Sequence, residues 1–236
     1  SSFSDTAEEF INDVIGYAES LRDELGLARI LSFKPKTAFE KTVAQRLGVA
    51  SLIVARLNED SSLGRTKFEK VFYLVDAHER LSLKTEYYRE AYGPLDQRTL
   101  YNEKWGILPL SQRYGYFSNQ ARAFGKGKTI NQIDSGKNLK EGLSFVKDVL
   151  GDRAKVVTKF IEQFKKLDTD QIELVATVYA AWNDLLLAKK EPSEKAVARE
   201  VLERWHPSKK KKFDATKVAN CMRWIKKQGF VPHGKG

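Results

Sequence analysis

HPSKKKKFDATKVANCMRWIKKQGFVPHGKG, residues 206–236, holds one helical period between two breakers. Val218, Cys221, Met222 and Ile225 recur at spacings of three and four, which places them on one face of a helix over 214–228. At about 100° per residue the opposite face carries Thr216, Asn220, Arg223 and Lys227, flanked by Lys217 and Trp224. Gly229 stops the helix, and Phe230-Val231 leaves it extended. Four lysines, Lys209, Lys210, Lys211 and Lys212, run ahead of it. Upstream, a helix over 170–188 places Ile172, Val175, Ala176, Tyr179 and Trp182 inward. Pro192 then opens a helix over 193–205, with Val197, Val201 and Leu202 apolar. Three helices followed by a short strand are the layout of a winged-helix or helix-turn-helix domain.

Further toward the N-terminus the period stays helical. Residues 37–57 follow Pro35, and their middle, VASLIVARL, is apolar nearly all round, as in a buried helix. NEDSSLG, 58–64, reads as a loop. Residues 65–81 place Phe68, Val71, Phe72 and Val75 on one face. Tyr87–Ala91 reads as a short strand or extended turn, and Gly93-Pro94 as a break before a helical stretch over 95–104. Residues 106–137 differ: RYGYFS and TINQID have strand content, punctuated by Gly115, Gly125, Gly127 and Gly136, and predict a small β-hairpin or sheet. Helices over 139–150 and 152–166 complete the chain. Residues 5–26 carry Phe10, Val14, Tyr17, Leu21 and Leu25 as a narrow apolar stripe, which suits pairing with a second copy into a homodimer or packing on the chain's own core. The expected fold is therefore mainly α, with a small β-element near 110–135 and a winged-helix-like C-terminal part. The expected division is 1–30 as a pairing or packing helix, 31–137 as a helical domain with the β-element, and 138–236 as a basic helical domain.

The chain has 236 residues, 42% of them hydrophobic and 31% charged, enough for a core. No apolar run approaches the roughly 20 residues of a membrane span. The acidic start, SSFSDTAEEF, has no apolar segment of the secretory kind. Cys221 is the single cysteine, so an internal disulfide is excluded, and a reducing, cytoplasmic home is expected. The net charge of +10 is uneven. Residues 1–30 carry two arginines against seven acids, whereas 189–236 carry fourteen Lys and Arg against five acids. That asymmetry points to an anionic partner for the C-terminal end.

No catalytic pattern is complete. Metal-dependent nucleases of the restriction type use an acid followed two residues later by Lys, and no Asp-x-Lys or Glu-x-Lys occurs. His78, His206 and His233 are scattered, without metal-ligand spacing. GKGKT, 125–129, would need Gly at 122 to complete a phosphate-binding loop, and Arg122 stands there. No cofactor, metal site or catalytic residue is expected, and the chain by itself is not expected to be an enzyme.

Two binding surfaces remain. The first comprises Lys209, Lys210, Lys211, Lys212, Lys217, Asn220, Arg223 and Lys227: lysines to hold phosphates of double-stranded DNA, Asn220 and Arg223 to meet base edges. The second interleaves Arg113, Arg122, Lys126 and Lys128 with Tyr114 and Tyr116, a mix able to stack bases, grip a backbone or meet a partner protein. YYREAYGPLD reads as a loop latch, with Arg89 bonded to carbonyls.

Two blocks also carry a resemblance. LGRTKFEKVFYLVDAHERLSLKTEYYREAYGPLD (63–96) resembles a signature of the C-terminal regions of type I restriction–modification polypeptides. ELVATVYAAWNDLLL (173–187), with RWHPSKKKKF and MRWIKKQGFVPHGKG, is similar to the closing part of that region. The first block is more loosely similar to the SocA-like (Panacea) antitoxins. The resemblance covers roughly 47–236 apart from 105–165. It implies a DNA-restriction, antiviral setting and contact with other restriction–modification subunits, of the specificity or motor kind. The looser similarity implies a free-standing regulator that binds a protein partner.

Overall fold

Nearly every residue from Thr42 to Val54 is buried, as the all-round apolar run requires. In the computed structural model, which describes residues 13–14, 16–17, 32–57, 63–124 and 128–234, this run lies in helix α1, Ala38–Leu57. Gly48 is there because its neighbour is close: a Cβ at 48 would sit 2.9 Å from the Phe145 carbonyl carbon. Helix α2, Arg65–Glu79, is buried from Lys67 to Asp76 and packs on helix α8, Thr169–Leu187. Asp168 and Gln171 close a capping box at the start of α8, satisfying two of its orphan amides. These three long helices frame the core.

Between α2 and α8 lies a two-stranded antiparallel ladder, β1 Tyr88–Glu90 with β2 Gly93–Leu95. Gly93 has φ +101°, and a Cβ there would meet Thr177 Oγ1 at 3.0 Å and the Lys70 stem at 3.4 Å. Only glycine suits that corner. Short helices α3 Gln97–Tyr101 and α4 Ile107–Arg113 follow. The second hairpin pairs β3 Phe117–Phe124 with β4 Lys128–Ser135 in register Phe117↔Ser135 through Phe124↔Lys128. The β-element expected near 110–135 is thus this hairpin, preceded by a helix over 107–113. Helices α5 Leu139–Ser144, α6 Val146–Leu150 and α7 Ala154–Glu162 pack along α1.

The C-terminal helices pack on α8: α9 Glu194–Arg199, continued by a π-turn Glu200–Trp205, then α10 Ser208–Lys212 and α11 Ala215–Gln228. The expected helix layout holds, but the wing does not: among the described residues no strand follows α11. The reason is Phe230. Its side chain is buried in an aromatic cluster with His78, Phe160, Phe164, Tyr179 and Trp224, at centroid distances of 5.2–6.3 Å. The exit segment is held by side-chain burial rather than by strand pairing.

The chain separates into two units, Ser1–Lys34 and Pro35–Gly236, so the boundary expected at 137–138 falls inside the second. Of the expected N-terminal stripe, Val14 and Tyr17 are exposed, and Phe10, Leu21 and Leu25 lie outside the described residues, as does most of loop 58–64. No described helix is long and apolar enough to cross a membrane.

The terminal cluster makes stability pH-dependent. The rings of His78 and His233 stack at 5.1 Å, and His78 Nδ1 lies 3.3 Å from the Tyr179 hydroxyl. Burial, reinforced by His233, lowers His78 from 6.5 to about 4. As pH falls the unfolded chain takes this proton first, so stability is complete above the unfolded value and is lost between pH 6.5 and about 4. Discounted for the ring's partial exposure to solvent, the loss is about 1–2 kcal/mol. Thermal melts across that window should show it, and His78→Phe should flatten the profile.

Candidate nucleic-acid interface

The four-lysine run does not form one surface. Lys209 is fully buried, and its Nζ donates to Glu173 Oε1 at 2.7 Å. Helix periodicity explains this: α10 begins at Ser208 and turns Lys209 toward α8, where Glu173 is itself buried. Burial holds the Lys209 ammonium below its usual range despite the glutamate. Lys209 therefore cannot reach a phosphate, and its place in the DNA-binding set is corrected. Lys212 donates to the other oxygen, Glu173 Oε2, at 2.7 Å and lies 2.7 Å from Asp170. Burial pulls its pKa down, but the two carboxylates outweigh that and raise it. Lys210 and Lys211 are exposed, without a carboxylate partner among the described residues.

On α11 the predicted faces are correct. Val218, Cys221, Met222 and Ile225 are buried, and burial pushes the Cys221 thiol up to about 12. Lys217, Asn220, Arg223, Lys226 and Lys227 are exposed. Asp214 caps the helix, accepting from the Lys217 amide, and α11 itself contains no acid. Arg223 is engaged, its Nε 3.1 Å from Glu194 on α9. Lys226 rests over the Trp182 ring at 5.5 Å. The face is cationic, yet the residue best suited to a guanine edge is tied to a neighbour.

The second surface is divided as well. Tyr116 is fully buried and contacts Tyr114 and Phe145; as a core ring it cannot stack a base. Arg113 and Arg122 are exposed, and Arg122 lies 2.7 Å from Asp134 across the hairpin. Lys126 and the side chain of Lys128 lie outside what the structure describes.

What sequence reasoning missed is a buried polar network joining the two blocks that carry the resemblance. Lys70 is fully buried; its Nζ donates to the Pro94 carbonyl at 2.9 Å and lies 3.5 Å from Glu69. Burial lowers its pKa. Lys67, also buried, donates to the carbonyls of Lys165 and Leu167. Glu69 accepts the Tyr101 hydroxyl. Arg46 donates to the carbonyls of Leu83 and Lys84 at 2.8 and 2.6 Å. Asp76 accepts from Thr85 and Tyr87 at 2.5 and 3.0 Å, while burial raises its pKa. The latch expected at Arg89 is present, with more partners than carbonyls: Asp184 at 2.5 Å, Glu200 at 3.4 Å, the Arg204 carbonyl at 3.4 Å, and the Trp205 ring 5.0 Å away. Trp205 Nε1 donates to the Glu90 carbonyl at 3.0 Å. The π-turn brings Glu200 and Trp205 to the same guanidinium. The available signal was Lys-x-x-Lys on a strongly apolar helix, since lysines on such a face must find internal acceptors.

Beside this latch opens a cleft of about 700 Å³, with Arg80, Lys84, Tyr87, Tyr88 and Trp205 among its walls. A smaller groove of about 570 Å³ runs between α8 and α11, lined by Leu174, Val175, Phe213 and Trp224. Among the described residues no group of His, Cys, Asp and Glu is arranged to hold a metal ion. Comparison with family models, with curated proteins and with solved structures finds no match for the chain.

Proposed function

We propose that this chain is a non-catalytic DNA-binding and subunit-assembly domain of a DNA restriction–modification system, and that it meets duplex DNA through the exposed face of α11. One observation carries the reading. α11 presents Lys217, Lys226 and Lys227 to solvent with no acid of its own, next to Lys210 and Lys211, after the burial of Lys209 and the pairing of Lys212 have been discounted. Such a face gives salt-dependent, largely sequence-independent affinity. Asn220 is the base-edge candidate, and Arg223 joins it only by releasing Glu194.

Replacing Lys217, Lys226 and Lys227 by Gln should reduce duplex affinity and make the log–log salt slope shallower, by about 0.9 for each phosphate no longer held. Arg223→Ala should weaken all sequences alike if it acts only as charge, and relax sequence preference if it reads guanine. Fluorescence anisotropy over a salt series, with several duplexes, measures both. Wild-type affinity and slope in the triple variant would refute the α11 interface.

The second reading is a free-standing, antitoxin-like regulator bound to a protein. The apolar groove beside Trp224 favours it. A triple variant that keeps its DNA behaviour but loses a co-purifying protein would select it.

A further inference from the structure

The hairpin β3–β4 is longer than its support. Each strand has eight residues, a reach of about 27 Å. Only the root is embedded. Phe117 and Ile133 are buried, the Ile133 amide donates to the Leu63 carbonyl at 2.9 Å, and Gln132 bridges to Gly64 at the start of α2. Beyond the root, residues 120–123 and 129–130 are exposed on both faces of the ladder. An isolated two-stranded ribbon is marginal in water, so a projecting one invites a function for its outer half.

At the root, the ribbon and α4 enclose a notch of about 460 Å³, whose polar lining is Arg65, Tyr101, Gln112, Arg113 and Asn119. Arg65 is exposed, its Nε 3.6 Å from Glu69 and its guanidinium 6.0 Å from the Tyr101 ring centre. Arg113 is exposed and donates to the Glu103 carbonyl at 3.3 Å, with no carboxylate partner among the described residues. Asn119 Oδ1 is buried without a hydrogen-bond partner. The register places Asn119 opposite Ile133, so it lies on the ribbon's inner face; farther out, among the described residues, that face carries the small or short side chains of Ala121, Ala123, Thr129 and Asn131. The outer face carries Gln120, Gln132, Ile130 and Arg122, the last in an exposed pair with Asp134 that costs little to exchange. Residues 113–137 contain five Lys and Arg against the single acid Asp134.

We propose that the projecting hairpin is a second DNA-gripping arm: the ribbon lies in the major groove of a duplex while Arg65 and Arg113 hold a backbone phosphate in the notch at its root. The major groove, about 12 Å wide, admits a two-stranded ribbon. Arginine supplies the planar donor fork that a phosphate accepts. This inference rests on the reading of the chain as a duplex-DNA binder and adds a contact surface separate from α11.

The test uses the full chain, a duplex of about two helical turns and anisotropy across a salt series. Arg65→Gln with Arg113→Gln should make the slope shallower by about 0.9, for the one phosphate no longer held, with affinity lowered on the order of tenfold at moderate salt. A second variant, in which an Asn-Gly turn joins Gln120 directly to Gln132, keeps Phe117 and Ile133 and removes the outer ribbon; it should reproduce the loss. Circular dichroism melts verify folding, and Lys155→Gln with Lys159→Gln, exposed on α7, serves as the charge control. If the α11 triple variant weakens binding while both arm variants keep the wild-type slope, the arm proposal fails and the α11 reading stands. If the wild-type chain binds no duplex at low salt, both fail. If the arm variants instead lose an acidic protein partner with DNA binding unchanged, the surface is a protein contact and the proposal is overturned.

Discussion

Replacing Lys209 by alanine is expected to destabilise the protein by about 3–5 kcal/mol, because it leaves the buried Glu173 carboxylate short of a partner. The pair is closed on both sides, with Lys209 and Glu173 side chains 0% and 2% exposed and their charged atoms 2.7 Å apart. Lys212 still holds the other glutamate oxygen, which moderates the penalty without removing it. A double variant, Lys209→Met with Glu173→Met, removes both charges and should recover most of the stability, since an apolar pair of similar volume is often no worse than a buried ion pair. Urea denaturation measures both changes. DNA affinity of the folded Lys209→Ala fraction should match wild type, whereas Lys210 and Lys211 replaced by Ala should alter affinity with little change in stability. A Lys209→Ala protein with full stability and weakened DNA binding would restore the lysine to the surface and refute the buried pair.

The contrast among adjacent lysines shows where sequence reading stops. Four consecutive lysines look identical in a sequence, and only the phase of α10 and the presence of Glu173 on α8 separate the buried one from the exposed ones. Intrahelical patterns were legible: α1 as a buried helix, the apolar face of α11 through Val218, Cys221, Met222 and Ile225, and the hairpin near 110–135 all follow from period and glycine placement. Partners distant in sequence were not. Lys70 with Pro94, Lys67 with Leu167 and Arg89 with Glu200 join segments that no local period relates. The same limit applies to Tyr116: its aromatic and basic neighbours resemble a stacking platform, but Gly115 and Gly136 turn it into the core, where it meets Phe145. For the proposed surfaces, charge was legible as a total, while its availability depends on pairings such as Arg223 with Glu194 and Arg122 with Asp134.

Phe230→Ala should be the other large loss, about 3–5 kcal/mol. The residue lies two positions beyond α11, where an extended exit would ordinarily be cheap to alter. Here its ring is 1% exposed and is enclosed by rings from four separate places in the chain: His78 on α2, Phe160 and Phe164 from α7 and its extension, Tyr179 on α8, and Trp224 on α11. Removing it opens a cavity whose walls belong to different helices and cannot all relax inward at once, so the cavity penalty adds to the lost burial. The Gly234 amide, which donates to Asn183 Oδ1 at 3.0 Å, then loses much of its anchorage. Phe230→Leu keeps most of the volume and should cost less than half as much. The same cavity exposes His78 to water, so its pKa should move back toward the ordinary imidazole value, and the acid-dependent loss between pH 6.5 and about 4 should shrink in Phe230→Ala. A strand-paired wing would behave differently: leucine and alanine would then differ little, and the pH profile would not change. Chemical denaturation of the two variants at neutral and acidic pH distinguishes a terminus held by aromatic burial from one held by backbone pairing.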